Sequence, residues 1–297
     1  MENKKLFRGY AFVVLSAFIF GLMPLMAKFI YADGVNSITL VFLRNFLSLP
    51  VLALLAFCGE GKIKLSVKEL PKISFIAIMG CCMTPLLLFS SYNYIPSGTA
   101  TVFHFIYPAV VVIGEFLFMK NKINYGHVIS VIICMVGVAL FYDPSTGIDL
   151  RGSFYALASG ITYAIYIIAL SGFGREGRSA FGFCFCVSAI ASVVMFCVCV
   201  FTGQLALPRS LLGWVLAIFF AFSVNAGAVA LFQRGTFIIG GSRASILSTF
   251  EPITSIFAGI IIFREKTSVF MIVGAVLVIS ASVLIALFDL KKTKKEK

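Results

Sequence analysis

A chain of 297 residues that is 60% hydrophobic and 12% charged, with a mean hydropathy of +1.05, carries far more apolar surface than a soluble domain needs. That excludes soluble enzymes, and the formal net charge of +12 is better placed in the loops and ends of a membrane protein than on a nucleic-acid surface. Apolar runs such as residues 131–136 lack the alternation of a barrel strand, so the expected fold class is an all-α polytopic membrane protein.

Segments long enough to cross ~30 Å of hydrocarbon as helix fall, in order, at 9–31, 37–58, 72–93, 98–118, 124–141, 151–171, 180–201, 211–233, 242–262 and 268–288. The first is about twice the length of a signal-peptide core and lacks a small-residue cleavage site, so it is expected to remain as a span. It contains Pro24, and its Lys28 lies near enough to the outer end to snorkel to the headgroups. Arg44 in the second segment is buried too deeply, at ~9 Å, for snorkelling alone. It is read as outer-half charge with an interior partner or a role in an outer cavity. The third segment contains Pro85 and Asn93, and the fourth contains His104, Tyr107 and Pro108. His104 and Tyr107 are three residues apart, on one helix face, and serve either ligand contact or ordinary hydrogen bonding between helices. Tyr163 and Tyr166 in the sixth segment, with Asn225 and Gln233 in the eighth, add neutral hydrogen-bonding groups.

The ninth segment holds Glu251 beside Pro252, ~14 Å from one end at 1.5 Å per residue. A carboxylate at that depth costs at least about 2.5 kcal/mol if it faces lipid, so it is expected to face the interior. It is either a proton-coupling or cation-recognising group, or a structural partner for a neighbouring polar group. Pro24, Pro85, Pro108 and Pro252 are expected helix-break points.

Placing the N-terminus inside leaves only Arg151, Arg209, Arg264 and Lys266 in outer loops and Lys28 and Arg44 within spans. The other 18 of the 24 basic residues, including a run at 291–297, then lie on the inner side. This asymmetry predicts a cell (inner) membrane protein with both termini cytoplasmic and a basic tail at 289–297 meeting anionic lipid. The eight cysteines are read as packing residues: Cys184 and Cys186, like Cys197 and Cys199, diverge by about 200° on a helix and cannot share an ion. No metal and no cofactor are expected.

An offset of 143 sets Arg8-Gly9 on Arg151-Gly152, and an offset of 144 sets Pro108 on Pro252, Thr101 on Ser245 and Lys120 on Arg264. The chain reads as five spans written twice, 8–141 and 151–288, joined by a hydrophilic linker at 143–149. Five is odd, so the copies are inverted in the membrane and can rock against each other. Small residues at Ala156, Gly160 and Ala164, and at Ser255 and Gly259, form ridges for close helix packing.

With this five-plus-five plan, Pro252 followed thirteen residues later by Glu265, and Gly274 in the next span, the chain resembles the EamA-type transporters of the drug/metabolite transporter superfamily. The first copy departs from the pattern, with Asn121 and Ser130 at the matching positions. The resemblance implies a small-metabolite permease, often an exporter, with a central cavity bounded by spans one, three, four, six, eight and nine. Cavity contacts are then expected from His104, Tyr107, Tyr163, Asn93, Asn225 and Glu251, with Glu251 and His104 as candidates for proton coupling. The expected partners are a small-molecule substrate, the bilayer and protons. The polar groups suit a neutral or zwitterionic amphipathic cargo better than a polyanion. A non-transporting scaffold or lipid-handling protein is the alternative. An embedded enzyme is disfavoured: there is no HExxH or GxSxG, no aspartate within a span, and the two histidines are 23 residues apart.

Overall fold

The structure, a computed structural model, describes residues 2–58, 67–95, 97–119, 125–140, 149–173, 179–254 and 269–295. Asn121, residues 143–148 of the linker, Ser255, Gly259 and Glu265 lie outside the described residues. Within them the chain is helical, without a strand. Seven segments are long and apolar enough to cross a membrane: α1 (Lys5–Ala32), α2 (Ser37–Cys58), α3 (Val67–Ser91), α4 (Thr99–Leu117), α6 (Leu150–Gly172), α7 (Ala180–Phe201) and α8 (Leu211–Ile239). The shorter apolar helix α5 covers Tyr125–Ala139. α9 begins as Gly241–Leu247 and resumes at Phe250, and α10 spans Val269–Lys295. The basic segment expected as a tail from residue 289 thus begins as a continuation of α10.

Several helix starts are fixed by side-chain caps. Asn36 Oδ1 accepts from Thr39 N at 2.8 Å, Ser179 Oγ from Gly182 N at 3.1 Å, and Ser210 Oγ from Gly213 N at 3.0 Å. Asp149 Oδ1 takes the amides of Arg151 and Gly152. Each cap satisfies an amide that the helix itself cannot, worth ~1 kcal/mol.

The interruptions are as informative as the helices. α1 breaks at Leu22, just before Pro24; α4 breaks at Phe105–Ile106, before Pro108; and α9 breaks at Ser248–Thr249, before Pro252. Proline lacks an amide hydrogen and fits the first turn of a new helix. α3 widens to a π-helix over Ile78–Met83, ahead of Pro85, and α8 does the same over Phe222–Val229. The two π segments start 144 residues apart, the repeat offset. Neighbouring helices take up their carbonyls: Cys81 O accepts from Asn45 Nδ2 at 3.2 Å, and Ala228 O accepts from Ser16 Oγ at 2.8 Å.

The main helix contacts are α1 with α8, α3 with α6, α2 with α7, α4 with α6, and α5 with α10, and α9 meets both α1 and α4. Exchanging helices five apart leaves this pattern unchanged. It also means that the two sequence repeats are not separate bundles, as rocking of 8–141 against 151–288 would require. A rigid rotation of one half would separate every one of these pairs. Small residues permit the close approach: Ala156, Gly160 and Ala164 are buried on α6, and a Cβ on Gly160 would collide with the His104 carbonyl. Gly240, between α8 and α9, has φ 85°, a value that suits glycine and strains other residues.

At the ends of α1 and α8 two loops are stitched together. Asp33 Oδ2 accepts from the amides of Arg209 at 2.8 Å and Ser210 at 3.1 Å. Asn36 Nδ2 and Thr39 Oγ1 donate to the Gln204 carbonyl at 2.7 and 3.0 Å. Hydrogen bonds from Ser210, with help from Arg209, hold the Asp33 carboxyl below the usual carboxylate range.

Gly160→Leu must displace backbone and is expected to lower stability by roughly 1–3 kcal/mol, read as a lower thermal midpoint in detergent. Gly227→Ala, whose new Cβ would meet nothing nearer than Ile19 Cδ1 at 3.4 Å, is expected to be tolerated. A carboxyl with a depressed folded-state pKa stabilises above its unfolded value, and that contribution is lost as pH falls through the folded value. Wild type is therefore expected to melt above Asp33→Asn at neutral pH and to converge with it in acid; a gap independent of pH would refute the assignment.

Candidate binding cavity

A cavity opens where the breaks and π segments meet. Its wall is built from Phe20 and Met23 of α1, Arg44 of α2, Gly80 to Leu88 of α3, His104 of α4, Tyr163 and Tyr166 of α6, Val229 and Phe232 of α8, and Glu251 of α9. These are the six helices that the family resemblance implies, with α2 added through Arg44. Water centres can occupy about 40 Å³ of it, room for about three waters.

One side of the wall is aromatic. Tyr163 stacks on Tyr166 at 5.6 Å and 18° and on Phe232 at 5.7 Å and 30°. His104 lies 5.4 Å from Tyr163. Gln233 Nε2 donates to Tyr166 Oη at 3.2 Å, which fixes that ring. Gly80 is what allows Tyr166 this position, since any side chain at 80 would enter its ring. The Ser159 hydroxyl donates its one hydrogen to the Ala156 carbonyl at 2.6 Å. His104 Nδ1, 2.8 Å from the same oxygen, is therefore the donor in that bond, and the ring is oriented by α6.

The charged groups differ in kind. Arg44 is 4% exposed; its Nε donates to Asn225 Oδ1 at 3.1 Å, and its guanidinium carbon lies 6.0 Å from the centre of the Phe89 ring. Asn225 is held in turn by its Nδ2, which donates to Asn45 Oδ1 at 3.0 Å. Arg44 and Asn45, adjacent on α2, thus grip both π segments, one through the Asn225 side chain and the other through the Cys81 carbonyl. Glu251 is 7% exposed and reaches the same cavity. Among the described residues no side-chain hydrogen bond meets its carboxylate, and no ion pair joins it to Arg44.

His104, Tyr163 and Glu251 therefore stand on the wall, and Pro24, Pro85, Pro108 and Pro252 at the helix breaks around it. Three expected contact residues do not line it. Asn93 is exposed in the turn that ends α3, because the helix stops before reaching it. Asn225 lies behind Arg44 and is fully buried. Tyr107 is also fully buried and packs edge-on against Tyr163 at 4.8 Å. Tyr107 still lies beside His104 as expected, with ring centres 5.3 Å apart across the break at Phe105–Ile106, but it stands behind the wall. Arg44, expected in the outer half, reaches the cavity. Sequence reasoning also missed Thr84 and Cys81 on the wall, and Glu115, a second buried carboxylate. The argument applied to Glu251, that a carboxylate within an apolar run must avoid lipid, would have found Glu115.

The sequence profile described as the EamA-like transporter family matches this chain twice, at residues 7–142 and 150–287. A protein of Archaeoglobus fulgidus named an uncharacterized transporter is 25% identical over 82% of this chain and 86% of its own length. One of Clostridium kluyveri with the same designation is 22% identical, covering 93% and 92%. An uncharacterized inner membrane transporter of Salmonella typhimurium, YicL, is 20% identical over 97% and 98%. A solved crystal structure superposes with a TM-score of 0.76 over 94% of this chain and 96% of that one, at 14% identity, which establishes a shared fold. With two copies of the profile covering nearly all of its length, and the apolar helices to cross a membrane repeatedly, this chain is a multi-pass membrane protein that belongs to the EamA-like transporter family of the drug/metabolite transporter superfamily.

Proposed function

We propose that this protein is a secondary-active exporter of a small organic zwitterion, working by alternating access as a ten-helix bundle of two inverted five-helix repeats with both termini cytoplasmic in the cell (inner) membrane. The observation that carries the reading is the pairing of opposite, separately held charges on one cavity wall, Arg44 and Glu251, beside an aromatic stack. A guanidinium recognises a carboxylate in a planar fork, and a carboxylate recognises an ammonium. An apolar body between those ends fits against Tyr163, Tyr166 and Phe232.

The exchange-invariant helix pairing and the π segments at one offset support the inverted repeat. Since the repeats interleave, the moving groups combine helices from both. A space of about 40 Å³ for water centres takes a metabolite only when the lining helices part, which is the motion alternating access requires. The Glu251 carboxylate accepts no side-chain hydrogen bond and joins no ion pair among the described residues, which favours a group that exchanges a proton over a structural acceptor. Proton coupling through Glu251 is the mechanism we infer, and His104, tied by Nδ1 to Ser159, orients the wall. Phe57, Phe201, Leu211 and Val269 are among the large apolar side chains on the outside, where the lipid partner lies.

The test compares extracellular metabolites of cells expressing the intact protein, Glu251→Gln or an empty vector, at equal membrane abundance. One zwitterionic class accumulating outside only with the intact protein is the expected result; equal export by both proteins makes Glu251 structural and removes the coupling. For the compound so found, Arg44→Lys, which keeps the charge and loses the fork, is expected to weaken transport at low cargo concentration by about ten- to a hundredfold, the equivalent of ~1.5–3 kcal/mol. Unchanged transport would remove Arg44 from recognition.

A further inference from the structure

One buried carboxylate has no part in the cavity. Glu115 belongs to the stretch of α4 beyond the break at Phe105–Ile106 and is 7% exposed. Ser171 Oγ of α6, whose one hydrogen is shared between Glu115 Oε1 at 3.1 Å and the Ile168 carbonyl at 3.2 Å, and Ser242 Oγ of α9, which donates to Oε2, meet the carboxylate. Gly241 lies so close that a Cβ there would stand 2.5 Å from Oε1. One side chain thus ties together three helices of the cavity wall.

The tie lies at the end of the bundle that carries the N-terminus. Gly9 packs on Ile238 and Ile239, and Gly240 and Gly241 follow directly. That end is cytoplasmic in the topology proposed above. Both half-helices joined by the tie stop at the cavity in a break, at Phe105–Ile106 in α4 and at Ser248–Thr249 in α9. The α9 piece also starts from Gly240 at φ 85°. A half-helix with a break at one end and a glycine swivel at the other can turn as a unit once its ties release. Two hydroxyls on one carboxylate in a low-dielectric setting make a tie with a discrete closed state.

The tie is also one-sided. At the repeat offset of 144, Glu115 corresponds to Gly259 and Ser242 to Gly98, and at 143, Ser171 corresponds to Lys28. A fold with repeat-related halves therefore carries these latch residues at one end and not at their counterparts.

We propose that Glu115, held by Ser171 and Ser242, is the gate that closes the cavity toward the cytoplasm, and that release of these two hydrogen bonds is the step that opens it inward. Glu115 is a positioning residue: it sets the access of the cavity without touching cargo. The proposal rests on the alternating-access reading, but its test reads access rather than flux, so a failure to find cargo leaves the result interpretable.

The test uses Cys81, a thiol on the cavity wall, in the full chain with the other seven of its eight cysteines replaced by serine or alanine. The probe is a membrane-impermeant, charged methanethiosulfonate applied to inside-out vesicles. Labelling of Cys81 is expected to be several-fold faster in Glu115→Ala and in the double variant Ser171→Ala/Ser242→Ala than in the parent. Glu115→Gln, which keeps one acceptor oxygen, is expected to fall between them. Equal rates in variants with unchanged thermal midpoints would overturn the gate. Hydrogen exchange on Glu115→Gln and Ser242→Ala in the otherwise native chain supplies a second readout without cysteine replacement. Faster exchange confined to residues 107–117 and 241–247 is expected. No change there, or a uniform rise over all helices, would overturn the proposal and reduce the cluster to a packing contact.

Discussion

A charge at the depth of the hydrocarbon core is expensive wherever lipid can reach it, by insertion scales about 2.5–3.5 kcal/mol at a helix centre, and the rest of this structure follows from keeping such groups inside protein. Arg44, Glu115 and Glu251 are each less than a tenth exposed, and each is handled differently. Glu115 is given two hydroxyl donors, Arg44 one amide oxygen and an aromatic neighbour, and Glu251 none among the described residues. A group that is enclosed yet incompletely satisfied is poised for a ligand or a proton, whereas a satisfied one holds structure together. That contrast separates the cavity from the latch beneath it.

Backbone groups obey the same constraint. Carbonyls in a broken or widened helix cannot turn to lipid, so such irregularities are tolerated only where protein or a cavity receives them. Breaks in α1, α4 and α9 and π segments in α3 and α8 all surround one space, and a carbonyl of each π segment is met by Asn45 or Ser16 from an adjacent helix. Arg44 and Asn45 extend the idea: one dipeptide on α2 anchors the π segments of both repeats.

Seven of the expected spans were readable because hydrocarbon thickness sets helix length, and the family because Pro252 and the repeat offset survive in the text. Glu251 was readable from cost alone. What escaped was geometry that depends on where helices fail to be regular. Spacing put Tyr107 beside His104, and their ring centres do lie 5.3 Å apart, but it could not show that Tyr107 packs behind Tyr163 and off the cavity wall. Pro85 announces a disturbance in α3, yet α8 has Val229 at the matching position and forms the same π segment, so its cause lies in packing and not in a residue type. Asn93 was assigned by its polarity to the wall, but α3 ends before it and leaves it exposed in a turn. Depth gave Arg44 an interior partner or an outer-cavity role; the partner is Asn225, and the side chain also lines the cavity.

The central claim is that this cavity holds a small molecule bearing both charges, and direct identification of what it retains is the sharpest test. Purified wild type and Glu251→Gln would be incubated with a metabolite extract, washed, and their bound compounds compared by mass spectrometry. The account expects wild type to retain a compound carrying both an amine and a carboxylate, and the variant to lose it. Retention of lipids alone, in equal amount by both proteins, would contradict a transport site at Glu251 and favour a lipid-handling role.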